Sequence, residues 1–166
     1  MASSVSRREF LRTLGVLGGV AVSGAFIVAC GGGGSSPTQA PQSGGGSVTL
    51  DIGSKGEELM YDKDKLEAPA GSKITLNLKN NSTALQHNWV LVKPGTEEAV
   101  ATAGMAAGEA QDYLKPDDPN VIAHTKLVKP GQTGSVTFDA PAAGTYPYIC
   151  TFPGHHTLMK GTLTIK

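Results

Sequence analysis

The 166-residue chain has no excess of charge of either sign: Lys and Arg together number 14, and so do Asp and Glu. That balance removes the electrostatic footprint of a nucleic-acid binder, or of a protein held to anionic lipid by charge alone. Arginine is missing beyond residue 12, and Arg7, Arg8 and Arg12 are all there is. From Cys30 onward 11 Lys face 13 acidic residues, so the bulk of the chain is close to neutral. Cysteine is scarce. Cys30 and Cys150 stand in unlike surroundings, which argues against a disulfide framework and for separate fates. No apolar run reaches the ~20 residues of a membrane-spanning helix. The longest, residues 14–29, is broken by Gly15, Gly18, Gly19 and Gly24, although an uncleaved anchor is the competing reading of it. No internal repeat is visible, which sets aside solenoids and propellers.

What the N-terminus does contain is an address. Ser6-Arg7-Arg8-Glu9-Phe10-Leu11 ahead of the apolar run has the pattern of a twin-arginine export signal. Ile27-Val28-Ala29-Cys30 resembles the lipobox of bacterial lipoproteins. That resemblance implies removal of residues 1–29 and a lipid on the Cys30 sulfur, leaving the chain outside the cytoplasm, anchored on the periplasmic side of the cell membrane. A blocked Cys30 leaves Cys150 free. Residues 31–47, GGGGSSPTQAPQSGGGS, carry no charge and no apolar pattern. Such a stretch cannot offset the entropy of ordering, so 30–47 is expected to be a lipidated cysteine and a disordered tether.

From Val48 the pattern changes to period two. Residues 48–52 and 74–78 alternate apolar and polar, as half-buried strands do, and 88–92, 121–127, 135–138, 145–150 and 161–165 are further strand candidates. Ala68-Pro69-Ala70-Gly71 and Lys129-Pro130-Gly131-Gln132 are turn clusters. Short strands separated by Pro/Gly turns predict an all-β, antiparallel sandwich over 48–166. Residues 97–114 break the pattern with Ala and other helix formers, and predict a short helical flap that Pro116 and Pro119 end.

The chemistry gathers on Cys150-Thr151-Phe152-Pro153-Gly154-His155-His156-Thr157-Leu158-Met159. A turn at Pro153-Gly154 can fold the thiol, the imidazole and the thioether back on one point. Soft sulfur with imidazole selects copper. A Cys and two His in a plane with a weak axial Met describe a blue-copper electron-transfer site. The second His must come from elsewhere. His87, where a polar loop meets an apolar strand, is the best placed. His124 is expected to make a local hydrogen bond or face solvent, and His156, next to His155, to be exposed.

Cys150-Thr-Phe-Pro-Gly-His155-x-x-x-Met159-Lys-Gly161, with His87-Asn88-Trp89 and residues 121–127, resembles the azurin and auracyanin branch of the cupredoxins. The resemblance covers Val48 to Lys166. It implies a Greek-key β-sandwich holding one copper ion, Cu(I)/Cu(II), with His87, Cys150 and His155 in the plane and Met159 axial. It also implies that backbone N–H groups of Asn88 and Phe152 donate to the Cys150 sulfur. Gln86 stands where azurins have a Gly whose carbonyl lies near copper, and the far-side disulfide of azurins has no counterpart here. The implied partners are redox proteins of a photosynthetic chain, such as a cytochrome-containing membrane complex or a reaction centre. They meet a monomer that has no small-molecule substrate and binds no nucleic acid.

Two other readings compete. Cys150 and His155 could be nucleophile and base, but no third orienting group or oxyanion loop is visible, and Met159 has no role there. A copper carrier or storage lipoprotein would use the same ligands and release the metal. A dinuclear copper site would need a second Cys in the loop.

Overall fold

A computed structural model describes residues 45–166. The predicted signal, Cys30 and the tether up to residue 44 lie outside the described residues. Eight strands and one α-helix follow in the order β1 (Ser47–Gly53), β2 (Lys65–Ala68), β3 (Lys73–Lys79), β4 (Val90–Val92), α1 (Glu97–Ala107), β5 (Val121–His124), β6 (Thr133–Asp139), β7 (Gly144–Ile149) and β8 (Lys160–Ile165). They form a three-stranded sheet, β1-β3-β6, and a five-stranded sheet, β2-β8-β7-β4-β5. The result is the expected all-β Greek-key sandwich with a helical insertion.

Strand β3 shows why the period-two pattern folds this way. Ile74, Leu76 and Leu78 are fully buried, while Lys73, Thr75, Asn77 and Lys79 point outward. The outward residues are tied to neighbouring strands by polar cross-strand pairs: Thr75 to Thr137, Asn77 to Ser135 and Asp51, and Lys73 to Asp139 at 2.6 Å. The inner face meets Leu66, Leu91, Tyr148 and Leu163 of the other sheet and Trp89 just ahead of β4. On the outer face of that sheet, Val90, Val92 and Ile149 are covered by Val100 and Ala101 of α1. This is why β4 is buried on both faces. Gly161 lies opposite Tyr148, and a Cβ there would come within 2.3 Å of the Tyr148 hydroxyl, which reaches over to the Lys63 carbonyl at 2.8 Å.

Two features differ from the sequence expectation. The sandwich is not wholly antiparallel: β1 pairs with β3, and β2 with β8, in parallel. The chain crosses from one sheet to the other between β1 and β3, and a crossover is the connection that parallel pairing requires. Strand β2 was not anticipated. Only Leu66 and Ala68 alternate inward, and the turn cluster that follows hides so short a strand.

Pairing direction gives the domain two poles. Strand β7 runs into Cys150, β8 departs just after Met159, and His87 precedes β4, so all these residues share one end. Strand β3 runs toward that end, and β1 runs parallel to it. Ser47 and Ile165 therefore lie at the other end, where Lys73 N–H donates to Gly46 and Ala70 N–H to Lys166.

Candidate metal centre

The loop after β7 is closed at its base by Cys150 N–H donating to the Met159 carbonyl at 3.0 Å. Inside it, His155 N–H donates to Phe152 at 3.0 Å and Met159 N–H to His155 at 2.8 Å. Gly154 turns the chain at φ 81°, a conformation that glycine takes without steric cost. The result is the compact turn that the spacing called for, with Cys150, His155 and Met159 all buried.

His87 comes from the loop between β3 and β4. Its N–H donates to the Val128 carbonyl at 3.2 Å, and its carbonyl accepts from Val128 N–H at 2.7 Å. The fully buried Asn80 fastens that loop, donating to the Leu85 carbonyl at 2.8 Å and the Val128 carbonyl at 2.9 Å. The predicted strand over 88–92 starts only at Val90. Before it, Trp89 N–H bonds the Thr125 hydroxyl at 3.0 Å, so a side chain takes over the ladder.

Ligand atoms of His87, Cys150 and His155 all lie within 4.8 Å of one another. Cys150 Sγ is 3.8 Å from His87 Nδ1 and 3.6 Å from His155 Nδ1. A metal at typical M–S and M–N lengths of ~2.3 and ~2.0 Å, with trigonal angles, sets sulfur and nitrogen about 3.7 Å apart. The three side chains thus hold the spacing of a planar site, and the donor set is a soft one. Among the described residues this is the one group of three or more His, Cys, Asp or Glu placed to hold a metal.

Burial keeps all three groups neutral without a metal. It pushes the Cys150 thiol up to about 11, opposed by N–H donation from Asn88 and then Phe152. Burial, then the neighbouring His155, brings His87 down to about 4, while Glu57 acts the other way. His155 is lowered by burial. The imidazoles are therefore ready to ligate, and an arriving metal has only the thiol proton to displace.

Asn88 is the node that joins the two ligand loops. Its Oδ1 accepts from Thr151 N–H at 2.8 Å, and its Nδ2 donates to Thr151 Oγ1 at 2.8 Å and the Asp112 carbonyl at 2.9 Å. Gln86 is half-buried, its side-chain amide donating to Glu109 beyond the helix at 3.1 Å. Phe152 stacks at a tilt on His155, with ring centroids 4.6 Å apart. His124 is exposed, with Nδ1 3.1 Å from the Thr125 carbonyl, as expected. His156 differs: it is half-buried, and its Nε2 lies 2.9 Å from Glu98 on α1. The flap folds back over the ligand loop and gives the ring a partner that local sequence does not show. Thr125, Thr151, Asn80 and Tyr61 were missed by sequence reasoning, because each acts across tens of residues.

Comparison with known proteins agrees with this geometry. Copper binding proteins of the plastocyanin/azurin family match residues 48–166. Auracyanin-A of Chloroflexus aurantiacus is 52% identical over 143 residues, covering 84% of this chain and 88% of that protein. Azurin of Pseudomonas fluorescens biotype C is 42% identical over 118 residues, covering 66% of this chain and 92% of that one. The solved structure of auracyanin A, described as a "blue" copper protein, superposes with a TM-score of 0.70 at 53% identity, covering 72% of this chain and 99% of that one. Reduced auracyanin from the photosynthetic bacterium Roseiflexus castenholzii gives 0.69 at 45% identity, covering 74% and 99%. A match over the whole sandwich, with a His-Cys-His cluster of copper-compatible spacing at one pole, means that this chain belongs to the plastocyanin/azurin family of copper-binding proteins and takes one copper ion.

Proposed function

We propose that the chain is a mononuclear blue copper protein that carries single electrons between redox proteins at the outer face of a membrane, held there by a lipid on Cys30. The observation that carries this reading is the buried, preassembled cluster of His87, Cys150 and His155. A site fixed in advance by strand ends and hydrogen bonds rearranges little between oxidation states, and that keeps electron transfer fast. Copper supplies the one-electron couple. The protein's residues would supply a thiolate, two neutral imidazoles and, from Met159, a weak thioether donor. With one thiolate, the Cu(I) site is neutral and the Cu(II) site carries a positive charge. Burial disfavours the charge and so raises the potential. N–H donation from Asn88 and Phe152 to the sulfur acts in the same direction.

Leu158, exposed at 63%, shares the ligand loop with Pro153 and Gly154, and in this reading these residues, with Leu85 of the His87 loop, would supply an apolar docking face for brief encounters. Both solved auracyanins come from photosynthetic bacteria, which supports a place in photosynthetic electron transport, with a cytochrome-containing complex or a reaction centre as partner. A carrier that hands over copper would want reachable ligands, and here all three are buried. The deciding experiment is visible and EPR spectroscopy of the copper-loaded protein with voltammetry. An intense visible band and a reversible one-electron wave are expected. A colourless site that yields copper to weak chelators would refute the reading in favour of a carrier.

A further inference from the structure

Tyr61 lies in the hairpin between β1 and β2, held by an antiparallel bridge to Ser54. It is 4% exposed, and its ring meets Tyr148 edge-on, with centroids 5.4 Å apart at 71°. Its hydroxyl donates to the Asn88 carbonyl at 2.6 Å. That carbonyl belongs to the segment between the ligand His87 and the first ladder residue, Val90. No strand partner holds it. Every other polar group of Asn88 is engaged at the site: its N–H on the Cys150 sulfur, and its side-chain amide on Thr151 and Asp112. Burial, then Cys150 and Tyr148, push the Tyr61 phenol well above its ordinary range, so it remains a donor under all ordinary conditions.

We propose that Tyr61 is a positioning residue for the copper site, its hydroxyl pinning the Asn88 carbonyl so that Asn88 N–H stays aimed at the Cys150 sulfur. Without the hydroxyl the carbonyl is buried and unpaired, which costs free energy. The 87–89 segment relieves that cost by shifting, and the shift lengthens the N–H···S contact. Weaker donation leaves more electron density on sulfur and favours Cu(II). This inference rests on the electron-carrier reading above.

The test compares Tyr61→Phe with Tyr148→Phe in the full chain. Both keep the ring and remove one buried hydroxyl, but that of Tyr148 bonds the Lys63 carbonyl and not the 87–89 segment. Tyr61→Phe is expected to lower the equilibrium constant for copper reduction at least threefold, about 28 mV at ~59 mV per tenfold for one electron. It is also expected to speed hydrogen exchange of the Asn88 amide about tenfold in the metal-free protein. Tyr148→Phe is expected to move neither, with exchange compared after allowing for the change in global stability read by urea unfolding. Equal potentials and equal Asn88 exchange in the two variants, or equal shifts in both, would overturn the proposal. A wild-type chain without a visible band or a reversible wave would sink the electron-carrier reading. The exchange comparison needs no copper and still decides the role of Tyr61.

Discussion

Replacing Asn88 by Ala is the most informative single change at the site, because its cost follows from burial rather than from the number of bonds. Three side-chain hydrogen bonds disappear. The Thr151 hydroxyl loses only a donor and keeps its own proton free to bond, and the Asp112 carbonyl sits on a half-buried residue that water can reach. Each of these losses costs about 1 kcal/mol. The Thr151 N–H cannot move and belongs to a residue 1% exposed. Leaving it unpaired costs about 2 kcal/mol, for a total of about 4 kcal/mol. Against a domain stability of ~5–15 kcal/mol that is a large fraction. The assay is equilibrium urea unfolding of the metal-free protein, since copper bound to the folded state would mask part of the loss by mass action. Asn77→Ala is the control: Asn77 also bonds two side chains, Asp51 and Ser135, but on the solvent-facing side of its sheet. Its loss is expected to cost under ~1 kcal/mol. If Asn88→Ala costs no more than Asn77→Ala, Asn88 is not the tie between the ligand loops, and the reasoning fails.

Other expectations concern the ligands and the pH dependence. Cys150→Ser removes the thiolate and is expected to abolish the intense visible band, read directly by absorption; a surviving band would mean that sulfur is not a ligand. Met159→Leu is expected to keep the colour and raise the reduction potential, because a weak donor that favours Cu(II) is lost. Loss of copper on dialysis of that variant would give Met159 a stronger role. The metal-free protein is expected to lose stability as pH falls from ~6.5 toward about 4. In that window unfolded imidazole takes a proton that folded His87 refuses, so acid favours the unfolded state. At the alkaline end, stability is expected to fall between about 9 and about 11, where the unfolded thiol ionises and buried Cys150 does not. Denaturant melts across both windows check the two signs. Loading with copper near neutral pH is expected to release one proton per metal, measured with an indicator dye.

The His-Cys-His cluster was largely legible because Cys150 and His155 lie on one loop of ten residues with Pro and Gly at its bend. His87 followed from its place between a polar loop and the apolar Trp89–Val92. The flap was legible from its Ala-rich composition, and β1 and β3 from alternation. What escaped was contact between distant segments. Nothing near Tyr61 marks its hydroxyl as bound to a residue 27 positions away, and nothing near His156 points to Glu98, 58 positions earlier. Parallel pairing was hidden for the same reason: alternation says which way a strand's side chains face, not which neighbour it joins or in which direction. Strand β2 was lost because two inward residues are too few to set a period.

The placement of the chain ends has a practical outcome. Ser47 and Lys166 both leave the sandwich away from the ligand loops, so a fusion partner, affinity tag or electrode linker at either end leaves the copper-bearing face open. A protein immobilised through its N-terminus would present that face to the solution, where a soluble donor meets it at once. A partner lying in the same plane as the attachment point is different. To reach it the domain must turn over, carrying the ligand loops past the length of a seven-residue strand, roughly 23 Å at ~3.3 Å per residue.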